Sequence, residues 1–156
     1  MENNNEKLKI SNSENSSFFE QKVSSSNGNE GYPKLRFKDF NNDWKEHHLE
    51  DIVKNFEYGM NAAAVDYDGT NKYIRITDID ENSHRYINSS PVSPSGILEN
   101  KYKVMPNDIL FARTGASVGK TYLYDLNDGL LYFAGFLIRA NISISNNSYF
   151  IFCQTH

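Results

Sequence analysis

The chain has a single cysteine, Cys153, among 156 residues. That excludes an internal disulfide framework and a cysteine-based zinc site. Tryptophan also occurs once and proline four times. No apolar run approaches the ~20 residues a membrane-spanning helix needs. No basic start leads through an apolar stretch to a small-residue cleavage site, so no secretory signal is read. The expected setting is therefore cytoplasmic, with no membrane partner. Positive charge is not in excess either. Lys and Arg number 16 against 20 Asp and Glu, giving a net charge of -4 and a pI near 5.5. With no global basic field, any contact with a polyanion must come from a local patch.

Aromatic residues are abundant: they make up 13% of the chain, with ten Tyr and ten Phe. Mean hydropathy is -0.64. The chain is polar, yet rich enough in rings to build one core of ordinary domain size.

Residues 1–31 differ in texture from the rest. They hold seven Asn, seven Ser and six apolar residues without a helical or strand period. Such a segment cannot bury enough apolar surface to offset its ordering entropy, so it is expected to be a disordered leader. It runs through Ser24-Ser25-Ser26-Asn27-Gly28-Asn29, which is flexible-linker chemistry. The folded domain is expected over residues 32–156.

Leu49, Ile52, Val53 and Phe56 stand at i, i+3, i+4 and i+7, which predicts a short helix closed near Gly59. Tyr73–Ile79 alternates and predicts a strand, with Ile74 and Ile76 on one side. Ser89–Gly96 reads as loop. Pro106–Asp108 is a turn before a strand at Ile109–Arg113. Thr114–Gly119 is a small-residue loop, Lys120–Tyr124 a strand, and Asp125–Gly129 a turn. Tyr132–Ala140 is an apolar run that predicts one long central strand. Asn146-Asn147-Ser148 can cap a helix opening at Tyr149 that barely completes two turns before His156. The fold class expected is α+β: a small mixed or antiparallel sheet, a short N-terminal helix and a truncated C-terminal one.

Several motifs carry possible chemistry. Gly115-Ala116-Ser117-Val118-Gly119-Lys120-Thr121 resembles a phosphate-binding P-loop. One residue is missing between the glycines, and a strand-like segment follows where the motif needs a helix. A tight hairpin connection is the plainer reading. Glu99-Asn100-Lys101, with Asp78 and Asp80 upstream, matches the carboxylates with which restriction nucleases hold magnesium. In a charge-rich chain such a triplet also arises by chance. Asp66-Tyr67-Asp68-Gly69 resembles a calcium loop, but its glycine falls too early, so a turn is expected. His47 and His48 are adjacent, His84 stands alone, and no ligand spacing fits a metal. Cys153 lies in an apolar run and is expected in the core. What remains is an interleaving of rings with basic and short polar groups: Tyr58, Asn61, Tyr73, Arg75, Thr77, Asp78, Arg113, Thr114, Lys120, Tyr122 and Arg139. Such side chains can reach phosphates or base edges. Arg75 and Arg139 can equally pair with Asp residues of the sheet.

Taken in order, several segments resemble one family. Pro33-Lys34-Leu35-Arg36-Phe37-Lys38-Asp39-Phe40, Trp44 and Leu49-Glu50-Asp51-Ile52 are similar to the opening of a target-recognition domain. Such domains belong to the specificity subunits of type I restriction-modification systems. Tyr73–Ile79 resembles the family's first sheet strand. Asn107-Asp108-Ile109-Leu110-Phe111-Ala112-Arg113-Thr114-Gly115-Ala116-Ser117-Val118-Gly119-Lys120 resembles its Gly-Asp-Ile-Leu…Thr-Gly…Gly-Lys signature, and Tyr132–Arg139 the strand after it. Glu50 and Asn107 stand where the family often has glycine. The resemblance implies a non-catalytic reader of one half of a bipartite site in double-stranded DNA. In the family, partner methyltransferase subunits use S-adenosylmethionine, and a restriction subunit with translocase activity uses ATP; the resemblance gives the reader itself no cofactor. It implies that the Arg113–Lys120 loop, with Thr114 and Ser117, faces the DNA backbone. It implies base reading by Tyr58–Ala63, including Asn61, and by Arg75, Thr77 and Asp78. One recognition domain without a spacer helix resembles a truncated subunit. Two other readings stay open: a magnesium-dependent nuclease built on Glu99 and Lys101, and a nonfunctional remnant.

Overall fold

A computed structural model describes Lys38, Asp39 and residues 45–155. The Asn/Ser-rich segment, the domain boundary at residue 32, most of the Pro33–Phe40 segment, Trp44 and His156 lie outside the described residues. The chain divides into two units, Met1–Glu46 and His47–His156; the elements below belong to the second.

The fold is α+β. Helix α1 spans Leu49–Ile52 and leads straight into strand β1, Val53–Tyr58. Then come β2 (Ala64–Asp66), β3 (Lys72–Ile74), β4 (Val92–Pro94), β5 (Asp108–Ala112), β6 (Thr121–Leu123), β7 (Leu131–Phe133) and β8 (Leu137–Ile142). Helix α2, Ser148–Cys153, follows. Strands β1-β8-β5-β6 form an antiparallel four-stranded sheet in that order. β2 pairs with β4 antiparallel, and β3 with β7 parallel.

The helix expected over Leu49–Phe56 stops after one turn. The Asp51 carboxylate accepts from the His48 N–H at 3.1 Å and closes that turn. Val53 and Phe56 then become strand residues, opposite Ile142 and Ala140 of β8. A helix this short cannot hold itself together, and β8 offers the backbone a full ladder instead. The strand expected over Tyr73–Ile79 ends at Ile74, and Ile76–Asp78 is a 3₁₀ turn. Its cause is Asp78, whose carboxylate accepts from the Arg75 N–H at 2.9 Å and so rewards a turn over extension. The loop expected over Ser89–Gly96 contains β4, because Ser93 of β4 is tied to the turn after β2: its hydroxyl donates to Asn71 O and accepts from Asp68 N. The long strand expected over Tyr132–Ala140 is two strands, β7 and β8, parted by a turn at Gly135 and Phe136. The strands after Asp108 and Lys120, and the helix capped by Asn147, form as expected.

One face of the large sheet presents Leu110, Ala112, Tyr122 and Leu137 to a core completed by Ile74, Ile79 and Phe133. On the other face, Ile109, Phe111 and Ala140 are buried as well. Helix α2 packs over β5 and β6, with Thr155 meeting Thr121 at 3.2 Å. The rim at β1 is open: Phe56 and Tyr58 are half-exposed.

A buried ionic cluster crosses three strands on the core face. Arg139 of β8 reaches Asp108 of β5 at 3.4 Å and Glu57 of β1. It also donates to the carbonyls of Lys103 (2.7 Å) and Lys101 (3.0 Å). Asp108 is fully buried and accepts from Asn141 Nδ2 at 2.5 Å and from the Met105 N–H at 2.8 Å. Burial pushes its carboxyl up from the ordinary range, against the opposing pull of these donors and of Arg139. Pairing with Asp residues across the sheet is one of the two sequence readings of Arg139, and Asp108 supplies it.

Arg139→Ala strands Asp108 in the core without its cation. The expected cost is about 3–5 kcal/mol, read as a lower urea midpoint of the full chain. A loss under about 1 kcal/mol, the value of an exposed pair, would show the cluster to be solvated. At the surface, Asp68 accepts from Thr70 N, Asn71 N and Asn71 Nδ2 at 2.7–2.8 Å, so its pKa falls from 3.8 to about 2, chiefly through the Asn71 bonds. With the folded pKa below the unfolded one, its contribution is complete above pH 3.8 and lost as pH falls through about 2. A carboxyl NMR titration of Asp68 is expected to find its midpoint near the lower value.

Candidate nucleic-acid interface

Three of the sequence-selected segments meet at one backbone junction, the Ala134–Leu137 turn between β7 and β8. Ala134 N–H donates to Ile74 O at 3.0 Å, bringing in the end of β3 just before Arg75. Met60 N–H donates to Phe133 O and Gly135 N–H to Met60 O, both at 2.9 Å, bringing in the Tyr58–Ala63 segment. Arg113 N–H donates to Phe136 O at 3.1 Å, bringing in the end of β5. The Tyr73 hydroxyl adds bonds to Met60 O and Ala62 O at 2.9 and 3.2 Å. Gly59 makes this closeness possible. A Cβ there would overlap the carbonyls of Phe133 and Ala134.

The side chains at the junction differ in what they leave available. Arg113 is exposed. Its Nε donates to Gly135 O at 3.0 Å, and its guanidinium lies over the Tyr58 ring at 4.8 Å from the centroid. It forms no ion pair among the described residues. Cation–π stacking holds the group in place and leaves its positive charge uncancelled. Tyr58 is itself 47% exposed; Asn61, three residues on, and Thr114, next to Arg113, are exposed too.

Arg75 is different. It forms a two-pronged pair with Asp78, Nε to Oδ2 and Nη2 to Oδ1, each at 2.8 Å. The two charges cancel locally, and Asp78 is committed to this pair and to the turn. Thr77 stays exposed on that 3₁₀ turn. These residues therefore sit on a turn, where the sequence pattern places them along a strand.

Lys120 departs most from expectation. Its side chain is only 9% exposed and is paired with Glu81, and its Nζ donates to Ile79 O at 3.2 Å. It fastens the Arg113–Lys120 loop to the segment after Asp78 and is not a free cation beside Arg113. The loop is a 3₁₀ turn at Gly115–Ser117, followed by strand β6. Gly115 and Gly119 take φ of 75° and 86°, a region open chiefly to glycine. Ser117 is half-buried, and its carbonyl accepts from Lys120 N–H at 3.0 Å. No helix opens here, so the geometry is that of a hairpin connection.

The remaining motifs resolve locally. Glu99 and Lys101 pair with each other at 2.9 Å, both more than half exposed. The Asp80 carboxylate is taken by the Ser83 N–H and hydroxyl and by Asn82 N–H. No group of three His, Cys, Asp or Glu side chains able to hold a metal occurs among the described residues. Cys153 is half-buried in α2. No described helix is long and apolar enough to cross a membrane.

Two residues at this end were not singled out by sequence. Glu81 carries no motif, and only the fold brings it to Lys120. Phe136 was read as one more apolar residue of a buried strand, yet it is 61% exposed. The adjacent Gly135 is the signal that could have marked a turn there. No protein-family model matches the chain, and no curated protein matches its sequence.

Adding a methyl at Gly59 must push β1 away from the Ala134 turn. Gly59→Ala is expected to cost about 1–3 kcal/mol, the range for overpacking a tight contact, in urea denaturation. A neutral result would mean that the junction tolerates separation.

Proposed function

We propose that this chain is a non-catalytic, sequence-reading module that binds double-stranded DNA. In this reading it serves, in the cytoplasm, as the target-recognition part of a type I restriction-modification specificity subunit. The single supporting observation is the Arg113 guanidinium. It is exposed, unpaired with any described carboxylate, stacked on Tyr58, and held where three chain segments converge.

The mechanism follows from that placement. Arg113 supplies a fixed positive point for a backbone phosphate or a guanine edge. Asn61, Thr77 and Thr114 offer short hydrogen-bonding groups near the same end, suited to reading bases once the backbone is engaged. Arg75, neutralised by Asp78, contributes donors already occupied. Lys120 acts by holding the loop. Base discrimination asks for no bond-making, so no cofactor is invoked. Methylation and cleavage belong, in this reading, to partner methyltransferase and restriction subunits.

Fluorescence anisotropy of a labelled duplex across a KCl series tests this. Arg113→Ala is expected to weaken binding to all duplexes and to lower the salt slope by about one. Lys120→Met is expected to leave that slope unchanged while lowering thermal stability. Binding by the unaltered chain that ignores salt, or an Arg113→Ala slope equal to the parent's, would overturn the proposal.

A further inference from the structure

The β5–β8 register pairs Ala112 with Leu137 and Phe111 with Ile138. One step further, Arg113 stands opposite Phe136, and the 3.1 Å bond from Arg113 N–H to Phe136 O closes that step. Residues directly opposite share a face, and i and i+2 on a strand share one too. Arg113 lies just past the end of β5 with its guanidinium over Tyr58, and Phe136 stands on the turn just before Ile138. Tyr58 is opposite Ile138 in the β1–β8 register, two residues from Phe136. Tyr58, Arg113 and Phe136 thus form one corner of the sheet, where β1, the end of β5 and the start of β8 meet.

Phe136 is the more exposed of the two rings, at 61% against 47% for Tyr58. It is also well fixed. Its carbonyl is bonded to Arg113, its neighbour Gly135 donates to Met60 O, and Leu137 donates to Ala134 O, the last two at 2.9 Å. A large apolar ring on an anchored turn loses little backbone entropy when it enters an apolar slot. Beside it stands a cation whose charge no described side chain cancels. The slot with matching chemistry is a base step with a phosphate alongside: apolar faces to receive the ring, an anion to meet the guanidinium.

We propose that Phe136 is a wedge that enters between two stacked base pairs of the bound duplex while Arg113, steadied by Tyr58, holds the adjoining phosphate. The inference rests on the DNA-binding reading above and deepens it. It makes the site sensitive to how easily a step opens, so that flexible steps are favoured without a hydrogen bond to either base.

The test uses the full chain and two labelled duplexes of about 30 base pairs, identical except that one has a central abasic site, where a stacking partner is already missing. The unaltered chain is expected to bind the abasic duplex about tenfold more tightly, since the unstacking cost is partly removed. Phe136→Ala is expected to lose that preference while keeping the salt slope. Phe136→Leu, which restores an apolar wedge, is expected to regain most of it. Circular dichroism melting of both variants should match the parent, because the ring is on the surface. Equal binding of the two duplexes by the parent, as a protein-contact role for Phe136 would give, overturns the wedge and leaves DNA binding standing. A preference that survives Phe136→Ala overturns it too. Failure to bind either duplex overturns both readings.

Discussion

The buried pairing of Arg139 with Asp108 fixes the register of the sheet, and the position of every candidate contact follows from it. Taking a carboxylate and a guanidinium out of water is costly and is offset only when each finds partners with good geometry. Here Asp108 is met by Arg139, Asn141 and the Met105 amide. Arg139 is met by Asp108, Glu57 and two carbonyls, with its Nε left without a hydrogen-bond partner among the described residues. Because side chains alternate at every residue, sliding β5 by one position would pull these charges apart and turn Arg113 to the opposite face. The cluster at one end of β5 thus determines which way the chain points at the other, roughly 13 Å away at ~3.3 Å per residue.

Charge at the candidate interface is sorted by pairing, not by composition. Arg75 is cancelled by Asp78 and Lys120 by Glu81, while Arg113 stacks on a neutral ring. An acidic chain can in this way keep one local positive point without a basic surface. The two cancelled cations have structural work instead: Asp78 shapes the 3₁₀ turn through Arg75, and Lys120 joins two segments that no strand pairing connects directly.

Much of the fold could be read from the sequence. Asp108 and Thr121 begin strands where the pattern changed from turn residues to β-branched and aromatic ones, and Asn147 caps α2 as its side chain predicts. The errors share a cause. Leu49–Phe56 carries a helical spacing over a length at which β8 outbids the helix, and Tyr73–Ile79 carries a strand alternation that Asp78 cuts short. In Tyr132–Ala140 a single glycine breaks a run whose hydrophobicity is otherwise continuous. Of the candidate site, Tyr58 and Arg113 meet at the turn after β7, and Asn61 and Thr114 lie close to them in sequence. The pairing of Lys120 with Glu81 was not legible, because it depends on where an unpatterned loop passes. Nor was the exposure of Phe136, because apolar residues mark burial only on average.

The strand order also bears on how such a chain is made. Among the described residues β1 has one neighbour in the sheet, β8, and Tyr58 precedes Leu137 by 79 residues. At the pace of translation, ~5–20 residues per second, roughly 4–16 s separate the synthesis of the two strands. Throughout that interval the nascent chain carries β1 without its β8 partner, with Phe56 and Tyr58 on one face of the segment. That is the kind of stretch on which ribosome-associated chaperones act, and the stage at which neighbouring growing chains could pair with each other by mistake.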